Sequence, residues 1–217
     1  MLYGFLDESG TVVRRILELK LQHPSRVHYI LGNHDYGHIG GPHTSKFYDD
    51  EVAHLEAVLD SEGRANLREL FAAALLAVVA PCGVLLTHGA PGEVLSSFRQ
   101  LDDLQLPANG VDSDLVDSLL NNYGQPGEVM ERVLGRLSDQ LDFPLTLAIH
   151  GHDRDESGLY VEEGNQVCPV LFGARRGSKR YLLLDLAARY RGASDLVEGA
   201  EIQTLYAEGL RLGSPSA

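Results

Sequence analysis

The stretch YILGNHDYG, residues 29–37, decides how the rest of the chain is read. A short apolar run closes at Gly32, and Asn33, His34 and Asp35 then stand side by side before a second glycine, Gly37. Three polar groups directly after a strand-like segment contribute little to a core and suit a site at a strand end. The residues in front agree. RVHYILG, residues 26–32, reads as a strand. Before it, TVVRRILELKLQ, residues 11–22, reads as a helix with Val12, Val13, Ile16, Leu17 and Leu19 on roughly one face and Pro24 closing it. Helix then strand is the order of an α/β unit.

The design recurs twice. GVLLTHGAPG (83–92) and LTLAIHGHD (145–153) are apolar until they reach His88, His150 and His152, each beside a glycine. In α/β sheets the loops at the carboxyl ends of strands converge on one edge, so these groups are able to meet although they are far apart in sequence. An amide oxygen and neutral imidazoles suit a divalent cation of the Mn, Fe or Zn kind, and the adjacent glycines let the backbone turn sharply enough to aim them. His34, beside a ligand-type asparagine, is expected to face the substrate and act as a general acid, oriented by a nearby carboxylate. His150 precedes His152 by two residues, and on a strand the two share a face. His23, His28, His38, His43 and His54 read as surface histidines.

Further helices are expected over 46–60, 66–79, 114–120 and 128–141. Two late strands, 166–174 and 179–187, read as a hairpin around the RRGS sequence. With 217 residues, 44% of them hydrophobic, the chain suits one domain over 1–205 and a flexible tail over 206–217. Its 31 acidic and 18 basic side chains leave a formal charge of -13, which argues against nucleic acid or an anionic membrane as partner. An anionic substrate then needs a local positive charge, and a bound metal ion supplies one. The most apolar stretch, 70–80, is too short to span a bilayer, and the first residues lack a leader pattern. Cys82 and Cys168 read as small buried hydrophobes without metal-type spacing, and the protein is expected to be cytoplasmic.

GNHD, THG and GH in this order resemble the calcineurin-like metallophosphoesterases. The local detail is most similar to their phosphoprotein (serine/threonine) phosphatase branch. That branch has GNHE followed by a FYDE-type helix, where this chain reads GNHDYG and KFYDDE; its LFSAPNY loop is matched by VLFGARRGSKRYLLLDL, residues 170–186. The resemblance spans approximately residues 17–186. It implies an α/β sandwich of mixed sheets flanked by helices and a metal-dependent hydrolase of phosphate monoesters. It also implies two divalent metal ions (Mn, Fe or Zn), of which Asn33, His88 and His152 hold one. His34 becomes the catalytic histidine. Beside it Asp35 reads as a supporting carboxylate or a turn cap, and Arg175 or Arg176 in ARRGSKR offers a grip on phosphate in place of the family's arginines. The implied partner is a phosphorylated protein or a small phosphoester.

The chain departs from that pattern in two respects: the family's phosphate-gripping arginines are not found, and two early motifs are missing. The family's GDxHG and GDxxDRG motifs, which supply the other metal and the bridging Asp, are absent. Laid without gaps back from Asn33, the bridging Asp falls at or before Met1; taking LDESG as the second motif puts Gly4 in its place. The chain is therefore expected to start late, to lack the first strands of the sheet, and to hold one ion or none. Asp7 reads as an acidic residue at a helix N-terminus. Two alternatives follow: a catalytically impaired relative that binds a metal or a phosphate, or a nucleotide-directed phosphoesterase.

Overall fold

The computed structural model describes residues 8–108, 110–171 and 174–206, so Asp7 and all but the first residue of the expected tail lie outside the described residues. The chain divides into two compact units, Met1–Leu76 with Leu104–Ser113, and Ala77–Asp103 with Asp114–Ala217.

The first unit is built from short helices. α1 (Ser9–Gln22) covers the helix expected over 11–22 and packs along α4 (Ser61–Ala72). α2 (Asn33–Tyr36) starts directly on the GNHD motif, and a 3-10 turn (Gly37–Ile39) continues it. α3 (Glu51–Ala57) begins later than the expected 46, because the Asp50 side chain accepts the Ala53 N–H at 3.0 Å and sets the N-terminus there. Asp60 caps α4 in the same way through the Gly63 N–H at 2.7 Å. Leu31, Leu59, Leu67 and Phe71 form the buried centre.

The strand expected over 26–32 shrinks to a single parallel bridge, Ile30 with Leu75. Val27 is unavailable for a ladder: its N–H donates to His23 O at 3.0 Å and its carbonyl accepts from the Lys20 ammonium at 2.8 Å. The α1 terminus has captured the backbone groups that a longer strand needs.

The second unit holds a five-stranded mixed sheet, ordered β1-β2-β3-β5-β4. β1 (Ala77–Ala80) lies antiparallel to β2 (Val84–Thr87), and β3 (Leu147–Ile149) is parallel to β2 and to β5 (Gln166–Pro169). β4 (Leu159–Glu162) pairs antiparallel with β5. The helix expected over 66–79 thus stops at Ala72, and its Val78–Val79 pair goes into β1, where β-branched side chains suit the pleat. Between β2 and β3 run α5 (Arg99–Asp102), α6 (Val111–Asn121) and α7 (Gly127–Ser138), the last burying Met130, Val133, Leu134 and Leu137.

The late strands do not form a hairpin with each other. β5 pairs with β3 and β4, while β6 (Arg180–Leu182) pairs with β7 (Ile202–Thr204). The real hairpin is β4–β5, whose turn places Glu163 (φ 43°) and Gly164 (φ 80°) at positive φ, the geometry that matches the twist of paired strands. Sheet and C-terminal segment share a core of Val84, Leu147, Ile149, Val167, Tyr190, Leu196 and Ile202.

Leu147 is 0% exposed and Leu21 is 75% exposed. Leu147→Ala is expected to cost about 2–5 kcal/mol in urea denaturation, whereas Leu21→Ala changes stability by about 0.5 kcal/mol or less.

Candidate functional site

Because β2 and β3 run parallel in register, with Leu86 beside Ile149, their carboxyl ends open on the same edge of the sheet. The residues that follow them are His88 and the His150–Asp153 loop. The Gly151 N–H donates to the His88 carbonyl at 2.7 Å, which ties the two loops together. On the other side, the Gly89 N–H donates to Leu119 O at 2.6 Å, and a Cβ at Gly89 would lie 3.0 Å from both Leu119 O and Asn122 O. A glycine here is what allows His88 to sit against the end of α6.

The His88 and His152 rings lie 5.4 Å apart between centroids, edge to face. With a metal about 3 Å from the centre of each ligating ring, two imidazoles on one ion have centroids within about 6 Å, so the pair is close enough to share a divalent cation. His152 has φ 72°, the left-handed region that a non-glycine residue adopts at a cost of about 1–2 kcal/mol. Such strain concentrates where a side chain is held for a purpose. Tyr123 lies against His152 at 4.9 Å between ring centroids. Its place after α6, in a polar stretch without periodicity, left no sequence signal for that contact.

His150 faces a different environment from His152. Its side chain is fully buried and its Nδ1 donates to Gly151 O at 2.9 Å, with Asp153 Oδ2 at 3.3 Å. Burial holds the imidazole below its ordinary pKa, so it is neutral, and burial raises Asp153 despite the neighbouring His150. Cys168 is buried next to them, and burial pushes its thiol up to about 12. His150, Asp153 and Cys168 each offer a ligand atom within 4.8 Å of the others. The sequence showed no metal-type pairing for Cys168; the pairing of β3 with β5 creates it.

In the first unit, Gly32 caps α2 and Asp35 answers from the third helical position, accepting the Gly32 N–H at 2.9 Å and the Tyr29 hydroxyl at 3.0 Å. Burial pushes the Asp35 carboxyl up, partly offset by these hydrogen bonds, and pushes the Tyr29 phenol up as well. Asp35 therefore holds the turn. The carboxylate on His34 is a different one: Glu51 Oε2 lies 2.6 Å from His34 Nδ1, and Thr44 Oγ1 lies 3.1 Å from the same nitrogen and donates to the same Glu51 oxygen. Burial raises Glu51, but hydrogen bonds from Thr44, the Phe47 N–H and His34 outweigh it and hold the carboxyl below the usual range. Glu51 stands in the KFYDDE segment, and no feature of that segment alone linked it to His34.

His38 is not a surface residue. It is buried, 3.1 Å from Glu56 and with its ring 5.4 Å from that of Phe71. Arg175 pairs with Glu156 at 2.7 Å on the surface, and Arg176 lies over the Tyr206 ring at 4.6 Å.

The structure is similar to that of a protein serine/threonine phosphatase from Saccharomyces cerevisiae, itself described as similar to human phosphatase PP5. The TM-score is 0.50 and the sequence identity 17%, and the match covers 74% of this chain and 52% of that one. This chain thus spans about half the length of that protein chain. At such identity the likeness carries the fold: a mixed α/β structure with a five-stranded mixed sheet flanked by helices, of the phosphatase type. No family model and no curated protein matches the sequence. Among the described residues no helix is long and apolar enough to cross a membrane.

Two outcomes follow from this geometry. Glu51 has a lowered pKa in the folded state, so its contribution is fully present above about pH 4.3 and is lost as pH falls through the folded value. The stability gap between wild type and Glu51→Gln, read from urea midpoints, is expected to be constant above that pH and to narrow below it. His152→Gly relieves the left-handed backbone and is expected to raise stability by up to about 1 kcal/mol in the same assay, a gain that His152→Ala does not give.

Proposed function

We propose that the protein is a metal-dependent phosphoesterase that hydrolyses phosphate monoesters, in the manner of a serine/threonine protein phosphatase. The observation that carries this reading is the adjacency of His88 and His152 at the carboxyl ends of neighbouring parallel strands, in a fold of phosphatase type. Two close imidazoles on a shared edge fit a divalent cation of the Mn, Fe or Zn class. The motif order GNHD, THG, GH supports Asn33 as a further ligand.

When bound, such a cation supplies Lewis acidity for the phosphoryl oxygens and a nucleophilic water at neutral pH. The chain's own contribution is the proton for the leaving group. His34 presents Nδ1 to Glu51 and Thr44, which fixes the ring and leaves Nε2 to give its proton to the departing alkoxide. The His34 side chain is 41% exposed, which leaves the ring open to solvent and to a substrate. Arg175 is held by Glu156 in a surface pair, an interaction weak enough to exchange for a phosphate. The absence of the GDxHG and GDxxDRG motifs from this sequence favours a second reading, a relative that binds a metal or a phosphorylated ligand without turnover.

Hydrolysis of an aryl phosphate with added manganese separates the two. Wild type is expected to turn over, with His34→Ala lowering kcat by roughly 10²–10⁴ and Glu51→Gln lowering it in the same direction. His88→Ala is expected to lose activity and to lose bound manganese by elemental analysis. Equal rates for wild type and both histidine variants would remove the enzyme reading; metal binding without turnover would leave the second.

A further inference from the structure

The parallel pairing of β3 and β5 sorts side chains onto two faces. Ile149 and Val167 are register partners and both point into the main core. The next residues along each strand, His150 and Cys168, therefore fall together on the opposite face, where Cys168 packs with Val170, Ala174 and Tyr160. The His150 N–H donates to Val167 O at 3.0 Å, which locks this juxtaposition into the backbone ladder.

The tautomer of His150 follows from its neighbour. A carbonyl oxygen only accepts, so the 2.9 Å contact with Gly151 O puts a proton on Nδ1, and in the neutral imidazole Nε2 is then the nitrogen with the lone pair. That Nε2 is fully buried and, among the described residues, has no hydrogen-bond partner. A buried acceptor without a partner is unfavourable and calls for an occupant. Asp153 is also committed to the locality: one carboxylate oxygen accepts the Gly124 N–H at 2.9 Å and lies 3.3 Å from His150 Nδ1. A buried cysteine is ordinarily a small apolar residue, as the Val170–Ala174 cluster suggests, but that role does not account for an orphaned Nε2 on the ring whose Nδ1 lies 3.3 Å from the Asp153 carboxylate.

We propose that His150, Asp153 and Cys168 form a binding site for a borderline-soft divalent cation of the zinc class. Imidazole nitrogen, carboxylate oxygen and thiolate sulfur are the donor types that zinc takes, whereas the sulfur disfavours magnesium and calcium. The ligand atoms lie within 4.8 Å of one another, and the edges of a tetrahedral zinc site are roughly 3.3–3.8 Å, so loading requires a contraction of roughly 1 Å between them. Loading forms the metal–sulfur bond and releases the thiol proton to solvent. Because His150 and Asp153 flank His152 in sequence, a cation here braces the loop that carries His152 in its left-handed conformation.

Cobalt(II) reports on this ligand set directly, because thiolate ligation gives a near-ultraviolet charge-transfer band that oxygen and nitrogen ligands do not. The full chain, stripped with a chelator and kept reduced, is titrated with cobalt alone and then with zinc. Wild type is expected to develop the band on titration and to lose it when zinc is added. Cys168→Ser is expected to abolish it, and His150→Gln to weaken cobalt affinity at least tenfold. Cys82→Ser and His88→Ala are expected to retain it, so the result is read independently of phosphoesterase activity. No band in wild type at saturating cobalt, or an undiminished band in Cys168→Ser, overturns the proposal. Should Cys168→Ser fail to fold by circular dichroism, Asp153→Asn takes its place: weakened cobalt binding supports the site and unchanged binding in both Asp153→Asn and His150→Gln overturns it.

Discussion

Parallel hydrogen bonding among β2, β3 and β5 is the constraint on which the arrangement of histidines in the second unit rests. Parallel strands must end on the same edge, so the polar residues that terminate each apolar run arrive together without needing contacts of their own. The 2.7 Å bond from the Gly151 N–H to the His88 carbonyl converts that rough convergence into a fixed separation between two histidine loops. The antiparallel outer strands β1 and β4 complete the ladder and shield the central three. The same register sorts His150 and Cys168 to one face, so a single backbone arrangement accounts for both the His88–His152 pair and the His150–Asp153–Cys168 cluster.

The first unit solves a different problem with a different device. A histidine on a four-residue helix has too little surrounding structure to be oriented by packing. His34 is instead held by Glu51 and Thr44, residues from the first turn of α3 and the segment leading to it. Glu51 also accepts the Phe47 N–H at 2.8 Å, so one carboxylate secures both the loop and the imidazole. Asp35, the carboxylate adjacent in sequence, is occupied with Gly32 and Tyr29 and keeps the helical turn in shape. In an acidic chain, local donors of this kind and bound cations are the available means of attracting an anion.

Much of the architecture was legible because it depends on patterns within short windows. The apolar faces of α1 and α7 and the apolar runs that became β2, β3 and β5 announce themselves by period and by bounding glycines and prolines. The failures share one cause. Val27 lost its strand to a lysine ammonium and a helix-terminal carbonyl, Val78 and Val79 left a helical pattern to pair with β2, and Gln166–Pro169 found β4 as hairpin partner instead of β6. Each time a partner remote from the window decided the outcome, and local propensity is too weak to overrule such pairing.

The sequence by itself determined which residues stand out as candidates: Asn33 and His34 after a glycine, and His88, His150 and His152 at the ends of apolar runs, because a polar group beside glycine at a strand end has few structural uses. Only the tertiary structure decided how they are deployed. It assigned Glu51 rather than Asp35 to His34, set His88 against His152, buried His38, and turned Cys168 toward His150. The physical reason is that a side chain's partners are chosen by strand register and helix contacts between residues tens of positions apart, and no spacing within a motif encodes those distances.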